Sequence, residues 1–322
     1  MAPVENPSWI LPQFDFHVED LGHAGAQLFF AHVPNHNPLV AMAMAVEASW
    51  RWLYGWSKDM DPAVKAPLVI QRVKRITLTL RPMDGVAHTF GNDEGSEKQV
   101  HFSTKHIENS YKGDTEEKRN IRVREEILGV LAHEIVHCYQ YNGKATAPGG
   151  LIEGIAGEPI KPDLSSIVLN ETDCVRLYEN LGPPHWKRAV PGGKQVPDPE
   201  RPHGPPIWDW DWNWDAGYER TAYFLDWIDT KLETSSARYY SFKGTTSSQA
   251  STASTAFPSA KPNTNEPISS PEPSLPRGRG LFAQALNARL EDTEWNSDID
   301  LFLELTNWPR DALWEAYCVE NK

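Results

Sequence analysis

Cysteine is scarce in this 322-residue chain. Cys138, Cys174 and Cys318 cannot build a disulfide framework, so an apolar core has to hold the fold. The odd count favours a reducing compartment, with one bridge plus a lone thiol as the alternative. Basic charge is also short: 31 Lys and Arg stand against 44 Asp and Glu, a formal net charge of −13. A chain with no basic surplus does not neutralise phosphates, which argues against general nucleic-acid binding. There is no Lys/Arg run to seek an anionic membrane and no apolar stretch near the roughly 20 residues of a membrane span. The start, "MAPVENPSWILPQFDF", lacks the basic head, apolar centre and small-residue cleavage site of a secretory signal. These absences predict a cytoplasmic protein with no nucleic-acid or membrane partner; secretion without a signal is the alternative.

Apolar residues make up 40% of the chain and aromatics 11%, with 13 Trp, which is the composition of a globular protein. Residues 1–20 read as an irregular, Pro-containing segment. "PLVAMAMAVEASWRWLYGW" from Pro38 is apolar on nearly every side and predicts a buried helix. "VKRITLTLRPM" alternates Ile76, Leu78 and Leu80 with Thr77, Thr79 and Arg81, the period of a half-buried strand. The Asp84-Gly85 turn then predicts "VAHTF" as its return strand. "KQVHFSTKHI" reads as a further strand running into a short helix. Thr115 caps the start of a long helix that contains Ile121, Ile127, Leu128, Leu131, Ile135 and Val136 and is expected to end at Asn142-Gly143.

Beyond it, residues 182–207 form a Pro/Gly loop, and 216–234 an amphipathic helix. Residues 235–279 are a Ser/Thr/Pro tract too polar to pack, and the C-terminus is helical. "IWDWDWNWDAGY" superficially resembles a calcium loop, but lacks the required Gly and distal Glu, so aromatic packing is the preferred reading.

The chemistry gathers at "HEIVH". Residues four apart on a helix share a face, so His133 and His137 can present imidazole nitrogens to one ion. Glu134 lies next to that face, where it could take a proton from a water on the ion. Two histidines, a third protein ligand and an open position make a catalytic zinc site. Glu153 in "GGLIEGIA" is the best third ligand, because the glycines let the chain turn back and a Glu between Ile152 and Ile155 needs a charge partner. Its alternative is an ordinary surface or helix-terminal Glu. Cys138 points about 100° from His137 on a helix and is read as core.

These segments, with "DCVRL", "GYERTAYFLDWI", "ITLTLRPMDGVAHTFG", "KQVHFS" and "LFLELTNWPRDALWEAYC", resemble the basic secretory protein family of plants and bacteria, gluzincin-like zinc metallopeptidases. The resemblance implies His133 and His137 as zinc ligands, Glu153 as the third and Glu134 as general base. It also implies Tyr218 as donor to the developing oxyanion, the alternative being a Tyr packed between helices with its hydroxyl on main chain. An acidic residue four after the ligand Glu would orient a metal-bound His. Here the pattern Glu-Gly-Ile-Ala is separated from Asp173 by residues 157–172, "GEPIKPDLSSIVLNET", so Asp173 has that spacing only if the segment is removed. "QVHFS" is read either as an edge strand for an extended peptide or as a core strand.

The expected whole is an α+β, zincin-like metallopeptidase domain over 21–322, with insertions at 157–172 and 235–279. Its N-terminal part is a mixed sheet with the active-site helix, and its C-terminal part is helical. The expected cofactor is Zn2+ and the expected partner a peptide or protein substrate. The rival reading is a catalytically impaired member that serves as a binding protein.

Overall fold

The computed structural model describes residues 11–58, 60, 65–157, 213–217, 221–222, 224–229, 231–232, 281–296 and 298–320, which fall into two compact units divided after Gln140. The expected loop at 182–207, the tract at 235–279 and most of the 157–172 segment lie outside the described residues.

The first unit is built on a four-stranded mixed sheet of β1 (Gln13–Val18), β2 (Arg75–Arg81), β3 (Ala87–Gly91) and β4 (Glu97–Ser103), ordered β1-β2-β4-β3. β1, β2 and β4 run parallel, and β3 runs antiparallel to β4. The alternation in β2 buries Ile76, Leu78 and Leu80 on one face, in register with Lys98, Val100 and Phe102 of β4.

Two expectations change here. The segment 1–20 is not irregular throughout: behind Pro12, Phe14, Phe16 and Val18 alternate with polar residues, and this period forms β1. β3 is a strand as expected, but it pairs with β4 and not with β2. Buried Val100 and Phe102 suit β4 to the inner place beside β2, which leaves β3 at the edge. "QVHFS" is therefore an inner strand.

The pairing of β3 also fixes where its main-chain groups point. Ser103 N–H donates to Val86 O, and Asn92 N–H to Glu97 O. Counting by two, His88 and Phe90 turn their amides toward β4, while Ala87, Thr89 and Gly91 turn theirs outward.

Helices cover the buried face: α1 (Ala24–His32), α2 (Pro38–Tyr54), α3 (Leu68–Arg72), α4 (Thr104–Ser110) and α5 (Glu116–Tyr139). Asn37 caps α2 through its side chain, Pro38 starts the helix, and Gly55 ends it in the left-handed conformation. Thr115 caps α5 by accepting from Lys118 N–H, with Glu116 and Glu117 in the positive first turn. α5 packs against α1, α2, α4, β3 and β4, and is buried almost all round from Glu125 to Val136. It ends at Tyr139, earlier than Asn142-Gly143, because Gln140 is already extended. Trp50 meets both Trp56 and Tyr139 edge-on in the core beneath α2 and α5.

The second unit contains α6 (Gly149–Gly157), helical residues 221–222, 224–229 and 231–232, α7 (Leu281–Asp292), α8 (Leu301–Thr306) and α9 (Arg310–Glu320). The expected amphipathic helix at 216–234 is more deeply buried than its pattern suggests: Phe224, Leu225 and Ile228 are covered, and so are Asp226 and Asp229. Buried Asp229 is satisfied by accepting from Phe282 N–H, at the start of α7. Trp214 stacks on Trp295 and meets Phe302 edge-on, the aromatic packing expected for its motif; residues 208–212 of that motif lie outside the described residues. No helix among the described residues is long and apolar enough to cross a membrane.

α1 crosses close to α4, and Gly25 is why it can. A Cβ at this position would overlap the main-chain carbonyl of Thr104, which cannot rotate away. Gly25→Ala is expected to destabilise the protein by about 1–3 kcal/mol through overpacking, despite the better helix propensity of Ala. Urea unfolding measures this, and an unchanged midpoint would contradict it.

Candidate metal centre

α5 carries His133, Glu134 and His137 in its last two turns. His133 is 5% exposed and Glu134 6%. Helical spacing stacks the two imidazoles one turn apart, with rings perpendicular, centroids 4.7 Å apart and Nε2 atoms 3.1 Å apart. His137 Nδ1 lies 2.9 Å from Gln140 Oε1. An amide oxygen only accepts, so Nδ1 carries the proton and Nε2 of His137 presents a lone pair.

Glu153 on α6 joins them. His133, His137 and Glu153 each offer one ligand atom, and these atoms all lie within 4.8 Å of one another. Among the described residues this is the one His/Cys/Asp/Glu group with such spacing. Ligand atoms about 2.0–2.1 Å from a tetrahedral zinc stand roughly 3.3–3.4 Å apart, so the histidine pair is already near that separation. The donor set of two imidazoles and a carboxylate suits zinc with one position left over.

Glu134 has a partner of its own. Its Oε2 accepts a 2.6 Å hydrogen bond from Thr89 Oγ1, on edge strand β3, and its main-chain oxygen is 3.0 Å from the same hydroxyl. Thr89 and Gln140 are partners that the motif did not reveal. Gln140 lies close to His137 in sequence, but it is extended beyond the end of α5, so helical spacing did not reveal the contact. Thr89 could not, because only the pairing of β3 with β4 brings it over α5.

On α6, Gly150 and Gly154 admit close approach of Asp215 and Thr221, whose atoms would collide with a side chain at either glycine. Gly217 is also a neighbour of Glu153: a Cβ on it would stand 3.9 Å from Glu153 Cβ. Tyr218, the expected oxyanion donor, and Asp173, the expected partner of a ligand His, both lie outside the described residues.

Residues 11–160 match the sequence model of the BSP family, described as peptidase of plants and bacteria. Over that stretch, a little under half of its length, the chain is similar to this family. The match with the BSP family ends inside the 157–172 segment. No curated protein and no solved structure matches the chain.

Cys138, although next to His137, is no competitor for a metal. It is buried, and that burial, with the Glu134 carboxylate adding to it, pushes its thiol up to about 12. The neutral thiol favours the folded state fully below the unfolded value near 9, and this contribution fades as pH rises from 9 toward 12. Cys138 is expected to resist iodoacetamide in the native protein at pH 8 and to react once the chain is unfolded, as read by mass spectrometry; native labelling would contradict the assignment. Gln140→Leu is expected to weaken divalent-metal binding about 10–100-fold in chelator competition, by releasing the His137 tautomer. Unchanged affinity would show that the Gln140 contact is incidental.

Proposed function

We propose that the chain is a zinc-dependent peptidase with a zincin-like site, in which His133, His137 and Glu153 hold the metal and Glu134 is the general base. The convergence of three suitable ligand atoms within 4.8 Å carries this reading, and the similarity of residues 11–160 to a family described as peptidases supports it. Bound zinc supplies Lewis acidity, polarising the scissile carbonyl and making water a competent nucleophile near neutral pH.

The residues of the chain do the rest. Glu134, buried beside the ligands, accepts the proton of the attacking water and returns it to the leaving amine. Its burial keeps competing water away, so the carboxylate acts in a medium of low dielectric. An extended peptide pairs with edge strand β3 through the outward main-chain groups of Ala87, Thr89 and Gly91. Thr89 hydrogen-bonds Glu134, so this edge leads directly to the base. Tyr218 stabilises the oxyanion; the supporting observation is that its chain neighbour Gly217 lies against Glu153. Asp173 orients a ligand histidine if the chain after residue 157 returns to α6. Cytoplasmic residence, with peptides or proteins as substrates, completes the proposal.

A second reading is favoured by one observation: the family match stops at residue 160, inside the segment that separates Glu153 from Asp173. On that reading the chain binds peptides without cleaving them.

Metal analysis and hydrolysis of fluorescein-labelled casein separate the two. The peptidase reading predicts about one zinc per chain. It further predicts that Glu134→Gln keeps the zinc and lowers kcat at least about 100-fold, since general-base catalysis contributes on the order of 10²–10⁴-fold. A wild-type protein with zinc but no hydrolysis would select the binding reading. A protein without stoichiometric zinc, or one whose activity survives Glu134→Gln, would sink the zinc mechanism.

A further inference from the structure

Thr89 takes part in two contacts that no ligand motif predicts. Its side chain faces α5, where Oγ1 is 2.6 Å from Glu134 Oε2 and 3.0 Å from Glu134 O. Its main chain faces the other way. The hydrogen bonds of Val86 with Ser103 and of Asn92 with Glu97 set the phase of the β3–β4 ladder. In that phase Thr89, opposite Val100, is a non-hydrogen-bonded pair, so its N–H and C=O point out of the sheet at the edge.

We propose that Thr89 is the positioning residue for Glu134, aiming the base through its hydroxyl while its own main chain registers the extended substrate. This rests on the peptidase reading above and adds to it the element that sets base and scissile bond in one frame.

The physical case is one of degrees of freedom. A Glu carboxylate turns about three side-chain torsions and can aim either oxygen at a water. The Thr89 hydroxyl binds Oε2 from a β-branched side chain, whose χ1 is stiff, on a strand held in register with β4. Oε2 is thereby engaged, and Oε1 is the oxygen left to meet the attacking water. A peptide paired with the same residue cannot shift along β3 without a change of register, so the separation of scissile carbonyl and base is set by a single residue. Placement of this kind contributes through orientation, and an error of about 1 Å can cost on the order of 10²-fold in rate.

The side-chain pattern fits. His88 and Phe90, the neighbours of Thr89, lie on the opposite face of β3, with their rings against His101. Strand alternation therefore leaves Thr89 as the central residue of β3 that faces α5.

The test uses the full, zinc-loaded chain with fluorescein-labelled casein. Thr89→Val removes the hydroxyl and keeps the shape and the strand propensity. Thr89→Ser keeps the hydroxyl. Thr89→Val is expected to retain the zinc content and a KM within about 3-fold of wild type, with kcat lowered about 10–100-fold. Thr89→Ser is expected to keep kcat within about 3-fold of wild type, since it preserves the donor.

An unchanged kcat in Thr89→Val overturns the proposal. So does a loss shared equally by Thr89→Ser, or one explained by lost zinc or a raised KM. A second readout needs no activity: in the metal-free protein, Thr89→Val should lower Tm, and the drop should shrink by at least about half in a Glu134→Ala background, because coupled partners are non-additive. Additive Tm shifts would show that the hydrogen bond is absent in solution. Wild type and Glu134→Gln run alongside, so failure of the peptidase reading shows as inactive wild type or active Glu134→Gln, whatever Thr89 does.

Discussion

Two imidazole Nε2 atoms 3.1 Å apart on one helix face are the constraint on which the centre depends. Gln140 holds the proton of His137 on Nδ1, so Nε2 of His137 faces its neighbour with a lone pair. Without an ion, a proton on His133 Nε2 can bridge the two rings. With an ion, both nitrogens must be acceptors and converge on the same point. Two nitrogens this close need a proton or an ion shared between them.

The rest of the first unit serves to keep that helix face rigid. α5 is enclosed by α1, α2 and α4 and by the two strands β3 and β4, and it is buried almost all round where the ligands begin. Trp50 and Tyr139 pack edge-on at its C-terminal end, two residues beyond His137. Close packing resists displacement of any one side chain, so His133 is held in its rotamer. β3 adds a different kind of support: Thr89 on this edge strand donates to the Glu134 carboxylate, while its main chain faces outward. On α6, the absence of side chains at Gly150 and Gly154 lets Asp215 and Thr221 lie against the helix that carries Glu153.

Much of this was legible in the sequence because it depends on local periodicity. Helical spacing alone put His133 and His137 on one face, the Thr115 cap located the start of α5, and the alternation in β2 identified its buried side. Glu153 was readable as a ligand candidate because an acidic residue among apolar neighbours and glycines needs a partner. What could not be read was long-range pairing. Which neighbour β3 chooses depends on how well β4 fills the inner position, a property of the assembled sheet. Thr89 thus looked like one more strand residue. β1 was missed because its short alternating stretch follows a Pro-rich start, where composition suggested irregular chain.

The proposed site depends on its ligand set, and zinc X-ray absorption of the purified, zinc-loaded protein tests that set most directly. It predicts a first shell of nitrogen and oxygen only, at about 2.0–2.1 Å, with the outer-shell scattering of two imidazoles and loss of one oxygen in Glu153→Ala. A sulfur scatterer at about 2.3 Å, fewer than two imidazoles, or a shell unchanged by Glu153→Ala would contradict it.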